Sequence, residues 1–281
     1  MGLVAKDDGW RIPDWLWAQI GPLLPPRPAH PLGCHRARVP DRDAMNAILF
    51  VARTGCTWNS LNATGICHSS SAHRRFQEWR AAGVFEQLWR RGLVVYDEQV
   101  GIDWEWLAMD GAITKAPLGG CGHGPEPHRQ SQERDQTLGH LRRRRRPDRL
   151  GAAANRHDQK LLEPTLDALI IKPPEPDDDA QPIPIGLCLD RGYRTKQIPV
   201  IVARCGMVAH IQGRDDEIKA REFDPTWNAR RWVIERTHSW INRFRGLLIR
   251  WSKKTENHTA LLQLACAVIT WRSIPRHLLP R

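Results

Sequence analysis

The chain has 281 residues, 41% of them hydrophobic, which is enough for one sizeable core plus a smaller satellite and excludes a disordered composition. Its formal charge of +11 points to a polyanionic partner, either nucleic acid or an anionic membrane, because Lys and Arg that neutralise phosphates release condensed counterions. The longest apolar runs, residues 44–52 and 260–271, are too short to span a bilayer, and the first residues carry no signal-peptide pattern, so no membrane partner is expected.

Seven cysteines form an odd set without a CxxC pair, which argues against a disulfide framework or a zinc ribbon and places the chain in a reducing cytoplasm. His30, Cys34, His35, Cys56, Cys67 and His68 lack paired ligand spacing and are read as buried or incidental groups.

In chain order, a short helix is expected over residues 14–24, followed by a loop rich in Pro, His and Arg over 25–40. Apolar residues at helical spacing predict helices over 43–53, ending at Gly55, over 69–82, stopped by Gly83, and over 84–93. The second of these places Arg74, Arg75 and Arg80 among Phe76 and Trp79. Short helices between Gly turns, with arginines clustered on one, fit a helix-turn-helix module whose basic helix enters a major groove. A small bundle whose arginines form a solvated face fits equally well.

From Ile102 the period changes to two. Trp104, Trp106 and Ala108 share one face and Leu107 and Met109 the other, so Asp110 is expected at a strand end, followed by a Gly111 turn. A second strand, 183–189, delivers Asp190 in the same way. A helix over 195–204, a strand over 207–211 and a long helix after Pro225 complete an α/β alternation.

Two strands ending in Asp, within LAMDGA and LCLDRGY, place acids at the carboxyl edge where α/β sheets gather their chemistry. Either Asp alone would read simply as the start of a turn. Glu235 follows mid-helix, sharing a face with Arg231, Ser239 and Asn242 while Val233, Trp240, Phe244 and Leu247 supply apolar cover. Arg231 and Glu235 alone would read as a surface ion pair of little value. As a set, three carboxylates with basic groups beside them are what a two-metal phosphoryl-transfer site needs: hard oxygen ligands whose charge offsets most of two divalent cations.

These blocks resemble the insertion-sequence DDE transposases of the insertion-sequence-five (IS-five) type. WLAMDGAITKAP looks like the first-Asp block, ANRHDQKLLEPTLDA and LCLDRGY the second-Asp region, and RRWVIERTHSWINRFRGLLIRW the Glu helix. GCTWNSLNATGICHSSSAHRRFQEWRAAGVFEQLW resembles the N-terminal helix-turn-helix region. The resemblance implies an α/β, RNase H-like catalytic domain over 101–281, preceded by a small all-α helix-turn-helix-like domain over 1–100. It implies binding to terminal inverted repeats, strand cleavage and joining of the freed 3′ hydroxyl to target DNA. Asp110, Asp190 and Glu235 match the acidic triad, which would hold two Mg²⁺ ions, with Mn²⁺ a substitute. Arg74 and Arg75 belong to the expected DNA-binding helix, and Arg231 matches the basic residue one turn before the Glu. The family's Tyr and its Lys or Arg are replaced here by Asn228 and Asn242, with Arg243 one position further on. Expected partners are double-stranded transposon ends and target DNA, with the chain a homo-oligomer on DNA.

Between residues 120 and 154 the resemblance stops, in a stretch with no alternation and an arginine run over 142–146. A basic DNA-binding loop, a disordered insertion and a reading-frame error are three accounts of it. Permitted codons for residues 123–151, read one nucleotide later, spell TGPNPTDRAKSGTKRSVISDGGGVPIGLA, with two apolar stretches about a GG turn, as in a hairpin. That string resembles what the family carries there. It predicts a compensated double frameshift that leaves 121–153 out of frame, disordered or irregular, and the enzyme poor or inactive. Glu175 and residues 177–179 are read as a solvated loop, and neither His157 nor Asp158 as catalytic. The rivals are a non-catalytic DNA-binding repressor of transposition and an RNase H-like nuclease without strand transfer.

Overall fold

The computed structural model describes residues 9–26, 38–118, 124–125, 133–142, 146–153, 158–173, 185–211, 213, 222–223 and 232–280, and every structural statement concerns these. Four helices come first: α1 (Asp14–Ile20), α2 (Asp41–Thr54), α3 (Ser69–Ala81) and α4 (Val84–Val100). Their ends follow local chemistry. α2 carries Asp41 and Asp43 in its first turn and Arg53 in its last, matching the helix dipole, and stops at Gly55, whose φ of 71° is left-handed. His68 caps α3, its Nδ1 accepting from the Ser70 amide at 3.4 Å, so this imidazole serves the helix end. α4 runs past residue 93 to Val100 because Leu93 and Tyr96 continue the buried stripe of Val84, Phe85, Leu88 and Trp89. Asp97 then ties down the exit, accepting from the Ile102 amide at 2.8 Å and the Trp104 indole at 2.9 Å.

The sheet is mixed. β1 (Trp106–Lys115) lies antiparallel to β3 (Glu133–Arg142) on one side and parallel to β5 (Ile185–Leu189) on the other. β6 (Met207–Ile211) follows β5 in parallel, while β2 (Gly124–Pro125) and β4 (Arg146–Ala153) both pair with β3. On one face, Leu107, Met109, Leu187 and Leu189 pack against α5 (Asp158–Asp167) and α6 (Ile198–Arg204) through Leu162, Leu166, Ile198 and Val202. On the other, Ala108 and Cys188 meet Val233 and Ile234 of α7 (Trp232–Asn242).

Two features differ from the sequence reading. β1 does not end at Asp110: its ladder with β3 continues from Leu107↔Arg142 to Lys115↔Arg134, which keeps Gly111 extended opposite Leu138. The stretch 121–153, expected to lack regular structure, supplies β2, β3 and β4. Backbone amides and carbonyls pair whatever side chains they carry, and without β3 this edge of β1 would present a row of unmet hydrogen-bonding groups.

The largest apolar cluster joins the four N-terminal helices to a final helix, α8 (Thr255–Arg272), and to Ile241, Phe244 and Leu247. Residues 1–100 therefore do not close a core of their own. The Trp271 indole donates to the Leu88 carbonyl at 3.0 Å, and Gly92 admits it: a Cβ there would lie 2.7 Å from the indole nitrogen. Among the described residues no helix is long and apolar enough to cross a membrane. Among the described residues Cys56, Cys67, Cys188, Cys205 and Cys266 are not in disulfides, and burial, with Asp43 adding to it, pushes the Cys67 thiol above its ordinary value, which disfavours the thiolate a metal would need.

Candidate active site

β1 and β5 pair in the register Trp106↔Gly186, Leu107↔Leu187 and Ala108↔Cys188. Two residues further along each chain come Asp110 and Asp190, on strands about 4.8 Å apart. Alternation puts both on the face of Ala108 and Cys188, the face that α7 covers.

Asp190 stands where β5 gives way to a 3₁₀ turn, Arg191–Tyr193. The turn is held from inside: Tyr193 is fully buried, its amide donates to the Asp190 carbonyl at 3.2 Å, and Gln159 of α5 donates to the Gly192 carbonyl at 2.7 Å. Gly192 backs the carboxylate, since a Cβ there would sit 3.0 Å from Asp190 Oδ1. That Oδ1 is buried and has no hydrogen-bond partner among the described residues. Leaving a buried carboxylate oxygen without a donor is costly, so the geometry suits an incoming cation. Asp110 is partly buried, and its Oδ1 accepts from the Gly111 amide at 2.8 Å.

Glu235 lies in the first turn of α7, exposed, with Val233 and Ile234 buried beside it. Ser239 and Asn242 share its exposed face, as the helical period predicts. The structure brings the two aspartates to one sheet face but does not gather Glu235 with them: among the described residues no group of three or more His, Cys, Asp or Glu side chains is placed to hold a metal ion. The two aspartates offer hard oxygens that suit a divalent cation, and among the described residues no third carboxylate is gathered with them.

The basic residues separate sharply. Arg74 is exposed, 3.9 Å from Glu78. Arg75, expected to face DNA, is instead buried, pairing with Asp41 at 3.4 Å and with Glu78, so it joins α3 to α2. Helical spacing turns it inward with Phe76 and Trp79, and its partner Asp41 is distant in sequence. Arg243 is exposed just beyond α7, beside a cavity shared with Arg53, Arg245 and Arg272, which periodicity did not single out. Arg231, His157, Glu175 and residues 177–179 lie outside the described residues.

Residues 12–89 match the family described as "Putative transposase of IS4/5 family", and residues 187–272 match "Transposase DDE domain". An insertion element IS402 protein of 16.2 kDa from Burkholderia cepacia, described as uncharacterized, is 36% identical over 118 residues, which are 41% of this chain and 80% of that protein. The chain belongs to the insertion-sequence DDE transposases. A second relative from the same organism, "Putative transposase for insertion sequence element IS402", is 32% identical over 125 residues, 44% of this chain and 56% of that one. The second match thus spans little more than half of that transposase. Among solved structures, a Mos1 transposase paired-end complex with left transposon end aligns with 89% of this chain and 83% of its own at 8% identity and a TM-score of 0.27, too distant to carry an argument. Within the family match, the DDE segment contains Asp190, Glu235 and Arg243, and the N-terminal segment contains Arg74 and Arg75.

Proposed function

We propose that this chain descends from a transposase that binds terminal inverted repeats and performs metal-dependent strand cleavage and transfer, with Asp110, Asp190 and Glu235 as ligands for two Mg²⁺ ions and Mn²⁺ as a substitute. The observation that carries the reading is the buried Asp190 oxygen, without a hydrogen-bond partner among the described residues, beside Asp110 on the α7 face of an α/β sheet. Bound there, the ions would supply Lewis-acid activation of the attacking oxygen and stabilisation of the leaving one. The chain's own residues provide the setting. The two aspartates offer hard oxygens, Gly192 keeps side chains off the carboxylate, and Val233 and Ile234 anchor the helix that carries Glu235. Arg74, Arg231 and Arg243 would meet phosphates, whereas Arg75 holds the fold.

Residues 1–100 would be the helix-turn-helix-like DNA-binding region and 101–281 the RNase H-like catalytic region, a division of labour rather than of packing, since α8 closes the N-terminal core. The partners would be double-stranded transposon ends and target DNA, with the chain a homo-oligomer on DNA in the cytoplasm. Titration of the purified chain with Mn²⁺ tests the ligand set: Asp190→Asn should weaken binding by tenfold or more while leaving the thermal transition in place. Unchanged Mn²⁺ affinity would remove Asp190 from the site.

The reading also includes a loss of competence. Support comes from where β3 and β4 fall: residues 133–142, and 146–151 of β4, occupy the positions at which the shifted string reads SGTKRSVISD and VPIGLA, on either side of its glycine turn. The slot for a hairpin is kept while the residues filling it, ERDQTLGHLR and RPDRLGAA, lack the alternation a half-buried strand uses. Sequencing the gene across codons 118–156 decides the matter, because codons incompatible with the shifted string rule out the frame error. The same segment favours the second reading, a DNA-binding repressor. If Asp110→Ala and Glu235→Ala leave every cellular effect on transposition unchanged, binding alone explains the protein.

A further inference from the structure

Away from the carboxylates, Gly9, Trp10, Arg53, Thr54, Asn242, Arg243, Arg245 and Arg272 enclose a cavity of about 630 Å³. Four of these eight are arginines, and no described carboxylate lines it. They come from three places in the chain: the last turn of α2, the turn after α7, and the last turn of α8.

Backbone contact at two glycines forces this convergence. A Cβ on Gly246 would lie 2.8 Å from the Val51 carbonyl oxygen, and one on left-handed Gly55 would lie 3.1 Å from the Arg245 carbonyl. The turn that carries Arg243 and Arg245 is thereby seated against the end of α2 that carries Arg53. The Arg53 guanidinium is set over the Phe244 ring at 4.2 Å, which fixes its direction. Trp10 stands at the rim, about half exposed at 49% and beside Phe50.

Arginines in the last turns of α2 and α8 have a plainer use, since each complements its helix dipole. That accounts for Arg53 and Arg272 but not for Arg243 and Arg245, which lie beyond α7 and are exposed. Four guanidinium groups around one cavity give it a positive field that favours an anion. Guanidinium forks match phosphate oxygens two at a time, and an exposed indole offers a flat face to a sugar or base.

We infer that this cavity is a DNA-backbone site, built jointly by the two ends of the chain, that takes one or two phosphates of the strand leading to the carboxylates. The inference rests on the reading of the chain as a DNA-binding protein. Glu235 and Asn242 are seven residues apart on one helix, hence about 10 Å, so a strand seated in the cavity passes within a few phosphates of Glu235.

The test is equilibrium binding of the full chain to a fluorescent DNA duplex across a salt series, comparing Arg245→Gln and the double variant Arg245→Gln/Arg272→Gln with Arg90→Gln. Arg90 is exposed and outside the cavity, 3.9 Å from Glu86. The expected result is a three- to tenfold loss of affinity for Arg245→Gln, a larger loss for the double variant and none for Arg90→Gln. The slope of log affinity against log salt should flatten by about 0.9 for each phosphate that is no longer neutralised. Arg245→Lys should keep most of the binding, and because Arg245 is exposed its variants report on DNA even if the double variant is unstable. Wild-type binding that Arg245→Gln leaves unchanged in strength and salt slope overturns the site while the DNA-binding reading stands. Loss confined to an RNA duplex also overturns it, and failure of the wild type to bind any DNA overturns both.

Discussion

β1 has two neighbours of opposite character. On one side β5, IGLCL, is buried along almost its whole length, and its Leu187 and Leu189 are locked between β1 and the helices α5 and α6. On the other side β3, ERDQTLGHLR, makes a longer ladder of nine residue pairs but brings a sequence with little apolar alternation. The comparison separates what side chains specify from what backbone pairing alone supplies. A register set by burial resists slippage, because a one-residue shift would turn Leu187 away from the core; a register without that constraint is weakly specified.

The largest effects should come from the specified side. Leu187 is fully buried, so Leu187→Ala should cost about 2–5 kcal/mol by chemical denaturation, whereas a loss below about 1 kcal/mol would mean that β5 is not pinned by its core face. Arg75→Ala should cost about 3 kcal/mol, because it empties a buried position and takes a partner from the largely buried Asp41; Arg75→Met, which keeps the packing, should recover part of it. Next, hydrogen exchange should show the amides of β3 and β4 opening at least about 100-fold faster than those of β5 and β1's β5-facing edge, because opening there exposes less apolar surface. Equal protection would erase the contrast between the two edges. The smallest stability change belongs to Arg74→Ala, below about 1 kcal/mol for an exposed pair, with DNA affinity carrying the effect instead.

Much of the helical layer was legible because its ends are marked: Gly55 and Gly83 stop α2 and separate α3 from α4, and short apolar runs mark the strands that lead to Asp110 and Asp190. α8 gave no face to read, being buried around most of its circumference, so its apolar run carried no helical period. β1's continuation past Gly111 depends on a partner strand that periodicity did not disclose. Asp190 was readable as a strand-end acid and Asp110 as a strand residue, though its strand runs on to Lys115; the lack of a donor to Asp190 Oδ1 among the described residues and the exposure of Glu235 are products of packing. The same is true of Arg75, whose neighbour Arg74 has the same chemistry and the opposite environment; the side of α3 it occupies and the position of Asp41 distinguish them. The arginine cavity could not be read at all, because Arg53, Arg245 and Arg272 meet only through the seating of Gly246 on α2.

If the carboxylate site is retained and the hairpin sequence displaced, strand cleavage on transposon-end DNA with Mg²⁺ reports on both at once. Three proteins are compared: the chain as it stands, a version in which residues 123–151 are restored to the alternative frame, and that restored version carrying Asp190→Asn. The account predicts cleavage by the restored chain, far less by the chain as it stands, and a fall on the order of 100-fold or more for Asp190→Asn, since a metal contributes several kcal/mol and each 1.4 kcal/mol is tenfold. Equal cleavage by the original and restored chains, or full activity without the Asp190 carboxylate, would contradict it.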